Sequence, residues 1–119
     1  MTEPAITIYH NARCSNSRGA LALLQERGIE PCIVDYIATP MDHAQLRALV
    51  ARLGVPVREL MRTKEAVYAD LGLADPRVGD EQLVDAIARH PVLLNRPIVV
   101  TPKGALLCRP PERVLGLLD

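Results

Sequence analysis

The chain has no phenylalanine and no tryptophan among its 119 residues. Hydrophobic residues nevertheless make up 49% of it, so a core is available, built from Leu, Val, Ile and Ala instead of aromatic rings. Net charge is missing too: 14 Lys and Arg balance 14 Asp and Glu. That balance gives no whole-molecule attraction to nucleic acid or to a membrane surface, and any anion site must be made locally. No apolar run approaches the ~20 residues that a membrane span needs. No basic segment followed by an apolar stretch opens the chain, so no secretory signal is read. Cysteine is sparse: Cys14, Cys32 and Cys108 are odd in number and far apart. That spacing is neither a disulfide framework nor a metal knuckle. These absences leave a single domain, residues 1–119, in the reducing cytoplasm, where a reactive thiol is catalytic or redox-sensing.

What is present is organised around Ile6-Thr7-Ile8-Tyr9-His10-Asn11-Ala12-Arg13-Cys14-Ser15-Asn16-Ser17-Arg18. Residues 5–9 alternate as a short strand, a polar loop carries Cys14, and the apolar Ala20, Leu21, Leu23 and Leu24 mark one face of a helix ending near Gly28. Residues 32–36 form a second strand, which makes a βαβ unit with parallel strands. Asp42 with Gln45 offers a capping box, followed by Leu46, Leu49, Val50 and Leu53 on one helical face. Shorter helical pieces are expected around Leu60–Glu65 and Val67–Tyr68, then a helix near residues 80–90. Residues 97–101 and 105–108 read as two strands joined by a Pro102-Lys103-Gly104 turn, and Pro110-Pro111-Glu112 opens a final helix. The order is β-α-β, a helical insert at about residues 41–91, then β-β-α. That is the α/β layout of the thioredoxin and glutaredoxin fold, with a mixed four-stranded sheet.

Cysteine is among the most buried residue types, so the plain reading of Cys14 is structural. Its polar Arg-Cys-Ser-Asn-Ser setting favours a reactive thiol instead. At the opening turn of a helix, unpaired backbone N–H groups and the helix dipole favour a thiolate over a free thiol of pKa about 8.5. Arg13, Arg18 and His10 are expected to add to that bias. Ser17 stands where a C-x-x-C pair would place its second cysteine, so an external thiol must resolve any disulfide. A tyrosine-phosphatase loop would need arginine six positions after the cysteine, where this chain has Ala20.

Elsewhere, Arg96 precedes Pro97 at the start of a strand, and Arg109 follows the last strand; both reach the first strand's end in this layout. A proline at position 97 of such a fold is commonly cis and packs on the cysteine loop. Planar guanidinium groups suit tetrahedral oxyanions, donating paired hydrogen bonds. His10 has no third or fourth ligand nearby for a metal and reads as a support for the loop. Cys32 and Cys108 read as core, His43 as surface, and His90 as a core histidine.

Taken in order, Tyr9–Arg18, Arg62-Thr63-Lys64-Glu65, His90–Thr101 and Leu107–Glu112 resemble the glutaredoxin-dependent arsenate reductase family over nearly the whole chain, as a short member of it. The resemblance implies reduction of arsenate to arsenite for arsenic resistance. Glutathione would be the co-substrate, glutaredoxin the partner, and no tightly bound cofactor or metal is implied. It makes Cys14 the nucleophile, with His10 and Ser17 helping to keep it ionised. Arg62, Arg96 and Arg109 become the oxyanion ligands, and Pro97 a structural element. Two other readings stay open: a redox regulator of the same fold that docks on RNA polymerase, against which Ser17 counts, and a glutathione-dependent reductase of another substrate.

Overall fold

A computed structural model describes residues 6–118. The chain divides into two compact units, residues 1–39 with 96–119, and Pro40–Asn95.

The first unit holds strand β1 (Thr7–His10), helix α1 (Ser15–Glu26), strands β2 (Cys32–Asp35), β3 (Ile98–Thr101) and β4 (Gly104–Leu107), and a 3₁₀ helix over Pro111–Leu117. The sheet order is β2-β1-β3-β4; β1 runs parallel to β2 and antiparallel to β3, and β3 is antiparallel to β4. This is the mixed four-stranded sheet expected. The first strand lies later than the pattern placed it, and Ala5 falls outside the described residues. On one face of the sheet Ile8 and Val99, cross-strand partners, pack with Ala20 and Leu24 of α1 and Val114 and Leu117 of the 3₁₀ helix. The two residues from α1 are four apart and those from the 3₁₀ helix three apart, which sets each pair on one side of its helix. A Cβ on Gly19 would sit 3.0 Å from Cγ of Pro111, so α1 approaches the 3₁₀ segment closely only because glycine stands there.

Two expectations in this unit are corrected. The final helix is 3₁₀, not α: it is seven residues long and opens on Pro110-Pro111, which donate no backbone hydrogen bonds. Cys32 is exposed, not core, because β2 is the edge of the sheet and is paired on one side only.

The second unit is helical: α2 (His43–Leu53), a 3₁₀ turn at Val57–Leu60, α3 (Ala66–Asp70), α4 (Asp80–Arg89) and a second 3₁₀ turn at Pro91–Leu93. The capping box is formed. Asp42 Oδ1 accepts from the Gln45 amide at 2.8 Å, and Gln45 Oε1 accepts from the Asp42 amide at 2.9 Å. Gly54, with φ of 67°, takes the left-handed conformation that ends α2. The expected helical piece at Leu60–Glu65 is replaced, after Leu60, by a bridging residue at Met61 and a turn at residues 63–64. Met61 bridges Leu94, the Arg62 amide donates to Leu93 O at 2.7 Å, and the Asn95 amide donates to Leu60 O at 2.7 Å. Those cross-chain bonds outcompete local helix. His90 is half-buried at the end of α4 instead of on its buried face.

One organising residue gave no sequence signal. Arg58 donates to the Tyr68 hydroxyl at 2.9 Å, to Leu73 O, to Asp75 O at 2.7 Å and to Val78 O at 3.3 Å. It thereby supplies donors to a loop that lacks regular backbone pairing. Removing it strands several part-buried acceptors, each costing about 1–3 kcal/mol. We expect Arg58→Ala to lower unfolding free energy by about 3 kcal/mol in urea titration; a change under about 0.5 kcal/mol, the scale of an ordinary surface substitution, would refute this role.

Candidate active site

β1 ends at His10, and the chain turns through Asn11–Arg13 into α1, with Cys14 at the N-cap in extended conformation (φ −95°, ψ 124°). The turn is tied down locally. The Cys14 amide donates to Asn11 O at 3.0 Å, and Asn11 Oδ1 accepts from the Arg13 amide at 2.9 Å. Ser17 Oγ accepts from the Asn11 amide at 3.3 Å, and Arg18 Nη1 donates to Ala12 O at 2.8 Å. Ser17 is fully buried, so its hydroxyl fastens the loop from beneath.

Register explains the other side of the site. Ile98 pairs with Leu107 across the β3–β4 hairpin and with Tyr9 across β1–β3. Residues two before Ile98 and two after Leu107 therefore project past the same end of the sheet as the end of β1. These are Arg96 and Arg109. Arg109 Nη1 donates to Arg96 O at 2.9 Å and lies 3.6 Å from Cys14 Sγ in hydrogen-bonding geometry. The Arg96–Pro97 and Arg109–Pro110 peptide bonds are both cis; the second was not anticipated. Pro97 is buried, and its carbonyl accepts from the Cys108 amide at 2.8 Å.

Cys14 is 8% exposed. Burial pushes its thiol pKa up, but the Ser17 amide, the Arg96 guanidinium, the Asn16 amide and the Arg109 guanidinium together draw it down to about 7. The Cys14 sulfur closes no cap hydrogen bond with the first turn of α1, yet the amides there still favour its charged form. The cations responsible are thus Arg96 and Arg109, not the adjacent Arg13 and Arg18, which are exposed. Nor does His10 supply charge. Burial, aided by Arg18 and opposed by Asp35, lowers its pKa, which favours neutral imidazole, and its Nδ1 is buried without a hydrogen-bond partner among the described residues.

The other thiols differ. Cys108 is fully buried, and burial pushes its pKa up to about 11 against the pull of Arg113. Cys32 stands exposed on the edge strand. Arg62 belongs to the second unit, where its Nε donates to Glu65 Oε2 at 3.0 Å. Among the described residues no group of three or more His, Cys, Asp or Glu is placed to hold a metal ion, and no helix is long and apolar enough to cross a membrane.

The ArsC family model matches residues 9–117. The chain belongs to the ArsC family. It is 49% identical over 113 residues to the arsenate reductase of Rhizobium meliloti (strain 1021), covering 95% of this chain and 81% of that protein. It is also 49% identical over 114 residues to the Escherichia coli (strain K12) "Uncharacterized protein YfgD", covering 95% of this chain and 96% of that one. Among solved structures, the arsenate reductase from Vibrio cholerae superposes with a TM-score of 0.94 at 43% identity, covering 98% of this chain and all of that one. The ArsC fold, a thioredoxin-like α/β arrangement, is therefore that of this chain.

The electrostatics of this ArsC site make a direct prediction. Alkylation of Cys14 by iodoacetamide, followed by peptide mass spectrometry, is expected to reach half its maximal rate near pH 7, the value at which the thiol is half ionised. Arg109→Ala removes a cation that favours the thiolate, so the midpoint moves to higher pH and the rate at pH 7 falls. An unchanged midpoint would show that Arg109 does not set the ionisation.

Proposed function

We propose that this chain reduces arsenate to arsenite, with Cys14 as nucleophile and glutathione and glutaredoxin as the source of electrons. The observation that carries the proposal is the Cys14 thiol, its pKa drawn to about 7, facing the Arg109 guanidinium at 3.6 Å. Membership of the ArsC family and the 49% identity to an arsenate reductase over 95% of this chain support the choice of substrate.

The chemistry follows from those groups. An anionic thiolate approaching an oxyanion is repelled unless cations already stand there, and Arg96 and Arg109 supply them. Sγ attacks arsenic(V), the arsenic–sulfur bond forms, and an arsenate oxygen departs as water after protonation. Glutathione then adds to arsenic, displacing a second oxygen as water. Formation of the sulfur–sulfur bond between Cys14 and glutathione hands two electrons to arsenic, which takes one water back and leaves as arsenite. Glutaredoxin, using a further glutathione, removes the glutathionyl group and restores the thiol. Ser17 fits this route because no second cysteine stands beside Cys14, and Cys108, held protonated by burial, is a poor internal substitute.

In this proposal Ser17 and His10 hold the cysteine loop, His10 as a neutral group, and Pro97 shapes the segment that carries Arg96. Arg62 enters as a third oxyanion ligand on its place in the family's motif. Residues 1–119 act as one cytoplasmic catalytic domain with its helical insert, with no resident cofactor and no nucleic-acid or membrane partner.

The test is arsenate-dependent NADPH consumption with glutathione, glutaredoxin and glutathione reductase present. Cys14→Ser is expected to abolish it, and retained turnover would remove Cys14 as nucleophile. Arg96→Ala should raise KM for arsenate by roughly one to two orders of magnitude, the scale of one lost charge-assisted hydrogen bond, with an unaltered circular dichroism spectrum. Unchanged kinetics would take Arg96 out of the site.

A further inference from the structure

We infer that Arg18 is the residue that recognises glutathione: its guanidinium, held at the rim of the cysteine loop, receives a carboxylate of the tripeptide as the tripeptide's sulfur meets Cys14. The inference rests on the proposal above that glutathione is the external thiol. Cys14 and Arg18 belong to the same unit, and the Arg18 amide donates to Cys14 O at 3.0 Å, one helical turn along α1. Helical side chains lean toward the N-terminus, so the long Arg18 side chain runs back over that turn. Its Nη1 donates to Ala12 O at 2.8 Å, which fixes the guanidinium beside the loop that carries the nucleophile.

The Arg18 side chain is exposed, and it is not among the groups that lower the Cys14 pKa. Arg47, Arg62 and Arg77 each meet a carboxylate, whereas among the described residues none pairs with Arg18. The first turn of α1 contains no acidic residue. Asp35, opposite His10 in the β1–β2 register, has Oδ1 engaged by the Ile37 and Ala38 amides at 3.1 Å each. One Arg18 N–H is used on Ala12, and a guanidinium carries several more, so donors remain for an anion. A cation that does not act on the sulfur is too remote for an oxyanion bonded to it, yet suits a carboxylate several bonds away from an attacking thiol. Glutathione, with two carboxylates against one ammonium group, is such a thiol. Arg13 is exposed too, but only its amide is held, by Asn11 Oδ1.

Thiol–disulfide exchange tests the role without arsenate. The Cys14 thiolate attacks one sulfur of glutathione disulfide, the sulfur–sulfur bond breaks, and one glutathione leaves as thiolate with the electron pair. Formation of the mixed disulfide on the Cys14 peptide is followed by mass spectrometry at neutral pH and low ionic strength, with the uncharged hydroxyethyl disulfide in parallel. Arg18→Gln retains a donor for Ala12 and loses the charge. It is expected to slow the reaction with glutathione disulfide about fivefold, the upper scale of an exposed ion pair, and to leave hydroxyethyl disulfide unaffected. Arg18→Lys should keep most of the wild-type rate, added salt should shrink the difference, and the exposed Cys32 should respond to neither variant. An equal fall with both disulfides would make Arg18 a support of the loop, and unchanged rates with both would remove it from the site; either result overturns the inference. In the arsenate assay, Arg18→Gln should raise KM for glutathione and not for arsenate. Absence of arsenate turnover in the wild type, with the exchange pattern intact, would overturn the arsenate reading and leave Arg18 as the ligand of glutathione.

Discussion

A single guanidinium joins the parts of this site that are farthest apart in sequence. Arg109 bonds the carbonyl of Arg96 and reaches the sulfur of Cys14. It therefore links the cysteine loop after β1 to the start of β3 and the end of β4. Burial alone would make Cys14 a worse nucleophile, because a thiolate loses solvation inside protein. The two arginines and the helix-start amides reverse that outcome, and the same cations can receive an oxyanion. In the proposed reaction, the charge arrangement that ionises Cys14 is also the one that offsets repulsion from the oxyanion.

The sheet makes the arrangement possible. Antiparallel register places Tyr9 and Leu107 on either side of Ile98. The chain segments leaving those strands emerge at one end, and the packing of Ile8 and Val99 beneath α1 fixes that end relative to the nucleophile. A slip of one residue in β3 would turn its core side chains to the other face. Geometry at the thiol is therefore underwritten by apolar contacts that touch no substrate.

Much of this was readable from residue order. The alternating first strand, the Asp42–Gln45 capping box and the hairpin after Pro97 are local patterns, each stated by a handful of neighbours. So was the suspicion about Cys14, since a polar loop at a helix start is a local feature. The source of its ionisation was not. Arg13 and Arg18 are near in sequence but exposed and do not act on the thiol, while Arg96 and Arg109 act across more than eighty residues. Exposure of Cys32 was hidden for a related reason: an edge strand and a central strand share composition and differ only in which neighbours they have. Arg58 was missed because its acceptors are backbone carbonyls, which carry no residue identity to recognise.

The central claim is that Cys14 alone carries the reaction with an oxyanion and receives the electrons from an external thiol. The most direct measurement is peptide mapping of the protein after incubation with arsenate and glutathione, with glutaredoxin left out. The account predicts a glutathionyl mixed disulfide on Cys14 that accumulates only when arsenate is present. Modification that is independent of arsenate, or that falls on Cys32 or Cys108 in place of Cys14, would contradict it.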